Sequence, residues 1–153
     1  MFTKILISLD GSKQVKNILP VAVSLAKAYQ ATLCVICVVD PAYFLEESNS
    51  KKENMVNEID YPAAARESTI VEEFMEKIVT DLRKEKILVD GKIIGGEPEQ
   101  SIPKAAKEMG CDMIIMGHRH LSWLGQLTET SICHSVIKNS FLPVLVVPQP
   151  DKG

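Results

Sequence analysis

The stretch Met116–Ile132, MGHRHLSWLGQLTETSI, decides how this chain is read. It continues an apolar run that begins at Met113, passes Gly117, crosses a polar loop, and enters a helix through Thr128, Thr130 and Ser131. A buried strand, a glycine, a loop and a hydroxyl-rich helix start are the parts of a phosphate-binding corner in an α/β fold. Free N–H groups and the helix dipole favour an anion there. The loop is nevertheless poor in glycine, the residue that lets backbone approach a phosphate closely.

Working outward, the same strand–turn–helix unit recurs. Lys4–Leu9 (KILISL) is an apolar strand that ends at Asp10-Gly11-Ser12. Val15, Ile18, Leu19, Ala22, Leu25, Ala26 and Tyr29 follow at helical spacing. Pro20 inside that pattern either delays the helix start or kinks it, because proline lacks an N–H and crowds the preceding turn. Thr32–Val39 is the second strand. Ile70, Phe74, Ile78 and Leu82 mark a helix from about Ser68 to Lys86 with a charged, solvated outer face. Ile87–Ile94 is the third strand, and Glu97-Pro98-Glu99 opens a helix whose inner side is Ile102, Ala105, Ala106 and Met109. Asp112–Met116, a helix over Thr128–Asn139, and the strand Pro143–Val147 complete the series.

Strand and helix therefore alternate from end to end. Most of the strands are continuously apolar, as parallel strands covered on both faces are. Right-handed crossovers then give an open doubly wound α/β sheet in one domain spanning residues 1–153. Ligands of such sheets bind beyond the carboxyl ends of the strands, where strand order reverses. The loops in question begin at Asp10, Asp40, Gly95 and Gly117. Residues Asp40–Glu67 are polar and hold no sustained period. They are expected to form a mobile connection, serving as a lid, a partner surface or a tolerated insertion.

Composition narrows the function classes. The 153 residues are 46% hydrophobic and 24% charged, ordinary for a globular domain with a real core. The net charge of −3, with both signs interspersed, argues against a nucleic-acid binder, which carries a basic face or arm. No run approaches the roughly 18 apolar residues that span a bilayer. The first residues, MFTKILISLDGS, lack the long apolar region of a secretion signal, so a cytoplasmic location is expected.

The sharper chemical motifs fare less well. Cys34 and Cys37 form C-x-x-C, but they lie in a strand, where residues three apart face opposite ways. They are read as core residues, with Cys111 and Cys133 as isolated structural thiols. His118, His120 and His134 are too few and too scattered for a zinc site, so no metal is expected. Ser131, His134 and Asp10 lack the strained turn of a nucleophile elbow, so no catalytic residue is assigned. Neither G-x-x-x-x-G-K-[ST] nor G-x-G-x-x-G occurs. Trp123 packs the loop onto the domain, covers a ligand or anchors a partner.

Taken together, KILISLDGS, GGEPEQSIPKAAKEMGCDMIIMG and VIKNSFLPVLVVP resemble, in this order, the universal stress proteins over nearly the whole chain. That resemblance implies a five-stranded parallel sheet of order 3-2-1-4-5 and a homodimer paired through Pro143–Val147. Nucleotide-binding members carry Gly, two residues, Gly, nine residues, then Gly and a hydroxyl residue. On this chain those positions are Gly117, His120, Thr130 and Ser131, so one glycine of the three remains. Asp10 and Val39 match the family's adenine-side positions, and Met116 and Ile132 flank the motif. Arg119 and the loop histidines offer charge in place of glycine backbone. GHRHLSW is also similar to the branch that lacks ATP. The leading expectation is a stress-response or regulatory protein that works by binding and dimerisation, without tight ATP binding. The alternative is an ATP sensor, with magnesium and slow hydrolysis, built on Asp10, Val39, Met116, Gly117, Arg119, His120, Thr130, Ser131 and Ile132.

Overall fold

The computed structural model describes residues 2–10, 15–39, 62–118 and 126–148. In chain order the elements are β1 (Lys4–Leu9), α1 (Val15–Tyr29), β2 (Thr32–Val39), α2 (Pro62–Lys84), β3 (Val89–Gly95), α3 (Pro98–Glu108), β4 (Met113–His118), α4 (Gln126–Ser140) and β5 (Val144–Pro148). The five strands form one parallel sheet in the order β3-β2-β1-β4-β5. Both the alternation and the order match the expectation.

The two faces of the sheet are two separate cores. Ile5, Ile7, Leu33, Val35 and Cys37 point to one side, against Ile18, Ala22 and Ala26 of α1 and Met75, Ile78 and Leu82 of α2. Leu6, Cys34, Ile36, Ile114 and Met116 point to the other, against Ile102, Ala105 and Ala106 of α3 and Cys133 and Val136 of α4. This is the double winding, and it explains the unbroken apolar runs of β1, β2 and β4: both faces need hydrophobic side chains. It also resolves Cys34 and Cys37. They lie on opposite faces, both buried and free, so the C-x-x-C is divided by the sheet.

Several boundaries differ from the pattern reading. Helix α2 begins at Pro62, not Ser68. Proline is pre-set for a first helical position, and Ala63, Ala64 and Ala65 are strong helix formers, so propensity extends the helix where no apolar period marks it. The remainder of the expected mobile stretch, 40–61, lies outside the described residues, as does Trp123. Helix α1 runs from Val15 straight through Pro20. Strand β3 starts later than expected, at Val89. Strand β4 continues through Gly117 and His118, paired with Val147 and Pro148, so Gly117 is a strand residue and not the first of a loop.

The same turn closes each helix. Gln30 (φ 55), Lys86 (φ 63), Gly110 (φ 70) and Phe141 (φ 57) take the left-handed conformation after α1, α2, α3 and α4. That conformation redirects the chain into the following strand and uses up end carbonyls. At the amino end of the sheet Asp112 fastens β4 to β1. Its carboxylate accepts the Thr3 N–H at 2.8 Å, the Thr3 hydroxyl at 3.0 Å and the Lys4 N–H at 3.3 Å.

The two edges of the sheet are unlike. On β3, Asp90, Gly91 and Lys92 are exposed and two of them are charged, a known guard against strand addition. On β5, Val144, Leu145, Val146 and Val147 are all half-buried and apolar. Gly91 also permits the close approach of α2: a Cβ there would stand 2.8 Å from Val79 Cγ2. Valine has no flexible end to move aside. Gly91→Ala is therefore expected to cost about 1–3 kcal/mol in urea unfolding, the range for overpacking. Val79→Ala in the same chain should recover most of that loss, and an additive double mutant would refute the close contact.

Candidate functional site

The strand order reverses between β1 and β4, so their crossovers leave on opposite faces and open a crevice at their carboxyl ends. A cleft of about 590 Å³, counting its open mouth, lies there. Its floor is Ser8, Leu9 and Asp10 from β1 and the residue after it, and Met116 and Gly117 from β4. Val38 borders it from β2, Pro98 and Ile102 from the first turns of α3, and Ile132 and Cys133 from α4. Ile18 of α1 reaches it from the other layer. The lining is mainly apolar, with Asp10 an exposed carboxylate at the rim. A flat apolar group with a polar edge is the kind of ligand such a wall accepts.

Local geometry fixes these walls. Alternation along β1 puts Ser8 and Asp10 on the same side as buried Leu6. Gly96 turns the chain from β3 into α3 with φ 146, and a Cβ on it would lie 2.4 Å from Ser101 Oγ. A side chain there would be strained by that φ and would displace the Ser101 hydroxyl. Glu97 then caps α3 in an extended conformation, its carbonyl accepting the N–H of Gln100 and Ser101 at 3.1 and 2.9 Å, with Pro98 in the first turn. On the far wall the Cys133 thiol donates to the Gly117 carbonyl at 3.7 Å, tying α4 to the end of β4.

Among the expected site residues, Asp10, Met116, Gly117 and Ile132 come together in the cleft. Val39 is not among its lining residues; its neighbour Val38 is, and the Val39 carbonyl accepts the Gly96 N–H at 3.0 Å. Arg119 and His120 lie outside the described residues. Thr130 and Ser131 belong to α4, which starts at Gln126 and not at Thr128. The unpaired N–H groups of a helix are its first four. In α4 these precede Glu129, so Thr130 and Ser131 stand in the second turn. His134 is exposed on the same helix. No group of three or more His, Cys, Asp or Glu side chains among the described residues is placed to hold a metal.

Sequence reasoning missed Ser8, Leu9, Ile18, Val38, Pro98, Ile102 and Cys133. Ser8 carried a usable signal, as the one hydroxyl within KILISL and two residues before Asp10. Ile18 and Ile102 carried none, because a cleft isoleucine and a core isoleucine have the same helical spacing.

These features define the class: a doubly wound α/β domain with its ligand crevice at the strand-order reversal. The chain belongs to the universal stress protein family, whose model matches residues 1–148. It is 31% identical over 151 residues to universal stress protein YxiE of Bacillus subtilis, covering 96% of this chain and 99% of that one. It is 29% identical to universal stress protein MJ0531 of Methanocaldococcus jannaschii, covering 99% and 85%. The solved structure of protein MJ0577, from the same archaeon, superposes with a TM-score of 0.69 at 27% identity over 99% of each chain. A universal stress protein solved in complex with cAMP shares the fold, with a TM-score of 0.68 at 15% identity over 96% and 97% of the two chains. Another, from Archaeoglobus fulgidus, was solved in complex with dAMP.

One neighbour of the cleft titrates abnormally. Burial, and then the negative charge of Asp10, raise the Cys37 thiol above its ordinary value. The folded protein holds this proton more tightly than the unfolded chain. Its contribution is complete below the ordinary thiol pKa and is lost as pH rises above it. The urea midpoint should fall between about pH 8 and about pH 10. Cys37→Ala should be about 1 kcal/mol less stable near neutrality and fall less steeply over that interval. An equal slope in the two proteins would show that Cys37 plays no part in the alkaline loss.

Proposed function

We propose that this chain is a cytoplasmic regulatory stress protein that acts by dimerising and binding partners, not by catalysis, and that it does not hold ATP tightly. The observation that carries this is the phosphate side of the crevice. Gly117 is the one motif glycine kept, and its carbonyl takes the Cys133 thiol of α4. Thr130 and Ser131 stand one turn too deep in α4 to present free backbone donors. A triphosphate would have few backbone N–H groups to meet. No described helix is long and apolar enough to cross a membrane, which agrees with this reading.

A second reading rests on the other half of the cleft. The apolar walls and Asp10 suit an adenine ring, and two structural relatives were solved with adenosine monophosphates. Under this reading the chain is a nucleotide sensor with a modified phosphate loop, in which Arg119, His120, Thr130 and Ser131 take the phosphate and hydrolysis is slow. Calorimetric titration of nucleotide-free protein with Mg-ATP separates the two. No heat at millimolar ATP is expected. A micromolar Kd, lost in Asp10→Ala, would overturn the leading proposal in favour of the sensor.

The proposed dimer uses the β5 edge, the segment that Pro143–Val147 marks in the sequence. Ile114 donates its N–H to the Pro143 carbonyl at 3.0 Å, and Ile114 is the register partner of Val144. Parallel alternation then directs the Leu145 and Val147 amides at β4 and turns the Val144 and Val146 amides outward. Val146→Pro removes an outward donor without touching the β4 ladder. It should sediment as a monomer with an unchanged far-ultraviolet spectrum. A folded dimeric variant would place the interface elsewhere.

A further inference from the structure

Of the residues that close the helices in the left-handed conformation, one is out of keeping with the rest. Gln30, Lys86 and Gly110 are polar or lack a side chain, so exposure costs them little. Phe141, after α4, is a bulky aromatic at φ 57, where its Cβ crowds the backbone. It is also 95% exposed, the most exposed large apolar side chain among the described residues. A ring held in an unfavourable backbone conformation, with no cover from its own chain, gives folding nothing that glycine or asparagine would not give better.

The turn around it is tied down. The Ser140 hydroxyl accepts the Leu142 N–H at 3.4 Å and donates to the Leu142 carbonyl at 3.5 Å. Leu142 packs against the core of the α3 and α4 layer, and Phe141 is turned to the outside. Ile137, one turn earlier on α4, is 53% exposed. The half-buried apolar edge of β5 begins at Val144. Phe141 therefore prolongs the apolar rim of β5 past the strand's amino end.

The chemistry of the rim selects its occupant. The other edge of the sheet, β3, is charged at Asp90 and Lys92, so a second copy meets the apolar rim with its own, about a two-fold axis. Such an axis sets the two β5 strands antiparallel. The backbone groups to be matched are the outward N–H and C=O of Val144 and Val146, and Pro148 has no N–H to offer. The pairing that leaves none of the valine groups unmet sets Val144 against the partner's Val146, with Leu145 facing the partner's Leu145. Leu142 then lies opposite the partner's Pro148, a residue that is exposed in the single chain, and Phe141 adjoins that pair.

We propose that Phe141 anchors a dimer of this chain, its ring closing over the partner's Pro148 on each side of the axis. The inference rests on the β5 reading of the dimer and adds the side chain that supplies its affinity. A fully exposed ring gains most when a partner desolvates it. Phe141 thus weakens the single chain and strengthens the pair.

The experiment measures the dimer dissociation constant of the full-length protein by sedimentation over a concentration series. Monomer stability is measured by urea unfolding in the Val146→Pro chain. Phe141→Gly should raise the dissociation constant about tenfold or more. In the Val146→Pro chain the same substitution should raise the urea midpoint, because glycine relieves the left-handed φ. Pro148→Ala should also weaken the dimer, and the double variant should be no weaker than Phe141→Gly alone. A Phe141→Gly dimer as tight as the wild type, with Val146→Pro monomeric, would overturn the anchor and leave the β5 interface standing. A lowered urea midpoint would overturn it in favour of a structural role within one chain. A dimer that survives Val146→Pro, or a wild-type chain that stays monomeric, would overturn the interface and the anchor together.

Discussion

One register holds this molecule together: Ile5, Leu6 and Ile7 of β1 against Met113, Ile114 and Ile115 of β4. The sheet reverses direction of growth at that seam, so β1 is flanked by β2 on one side and β4 on the other. All of these β1 residues are fully buried, two facing one core and one facing the other. A slip of one residue would exchange the faces of every side chain. Asp112 guards against that slip, because its carboxylate takes two backbone N–H groups and one hydroxyl from Thr3 and Lys4 at the strand's first residues. The cleft lies at the other end of the same seam. Its floor, Ser8 to Asp10 and Met116 to Gly117, is positioned by the register that Asp112 pins.

The two layers carry different duties. Helices α1 and α2 cover one face and α3 and α4 the other. The second layer supplies most of the cleft wall, through Pro98, Ile102, Ile132 and Cys133. Its placement depends on close contacts where strand gives way to helix: Gly96 against Ser101, and the Cys133 thiol on the Gly117 carbonyl. These contacts relate ligand geometry to packing. A change in the α3 or α4 position alters the crevice before it alters the sheet.

Much of the fold was legible from sequence because a parallel sheet writes itself in continuous apolar runs. β1 and β2 were bounded to the residue, since Asp10 ends the first apolar run and the helical spacing that closes at Tyr29 precedes the second. The order of strands came from resemblance, not periodicity, because hydrophobic spacing does not encode which strands adjoin. The start of α2 was misplaced because three alanines carry propensity without amphipathic pattern. The site was half legible. Asp10, Met116 and Gly117 lie at or beside the carboxyl ends of β1 and β4, which is a chain-local property. Thr130 and Ser131 depended on where α4 begins, and Gln126-Leu127 has no capping signature to announce it.

The inequality of the two sheet edges has a consequence for stoichiometry. A sheet with two welcoming edges can add copies without end, and such growth yields fibres. Here β3 presents Asp90 and Lys92 outward, while β5 presents a run of valine and leucine. In the proposed dimer strand-to-strand association uses one side of the molecule, and the copy that binds there covers the apolar rim of each partner. Association of that kind terminates itself at two. For the proposed dimer, the charges on β3 thus act as a counting device, opposing further strand addition at the other edge.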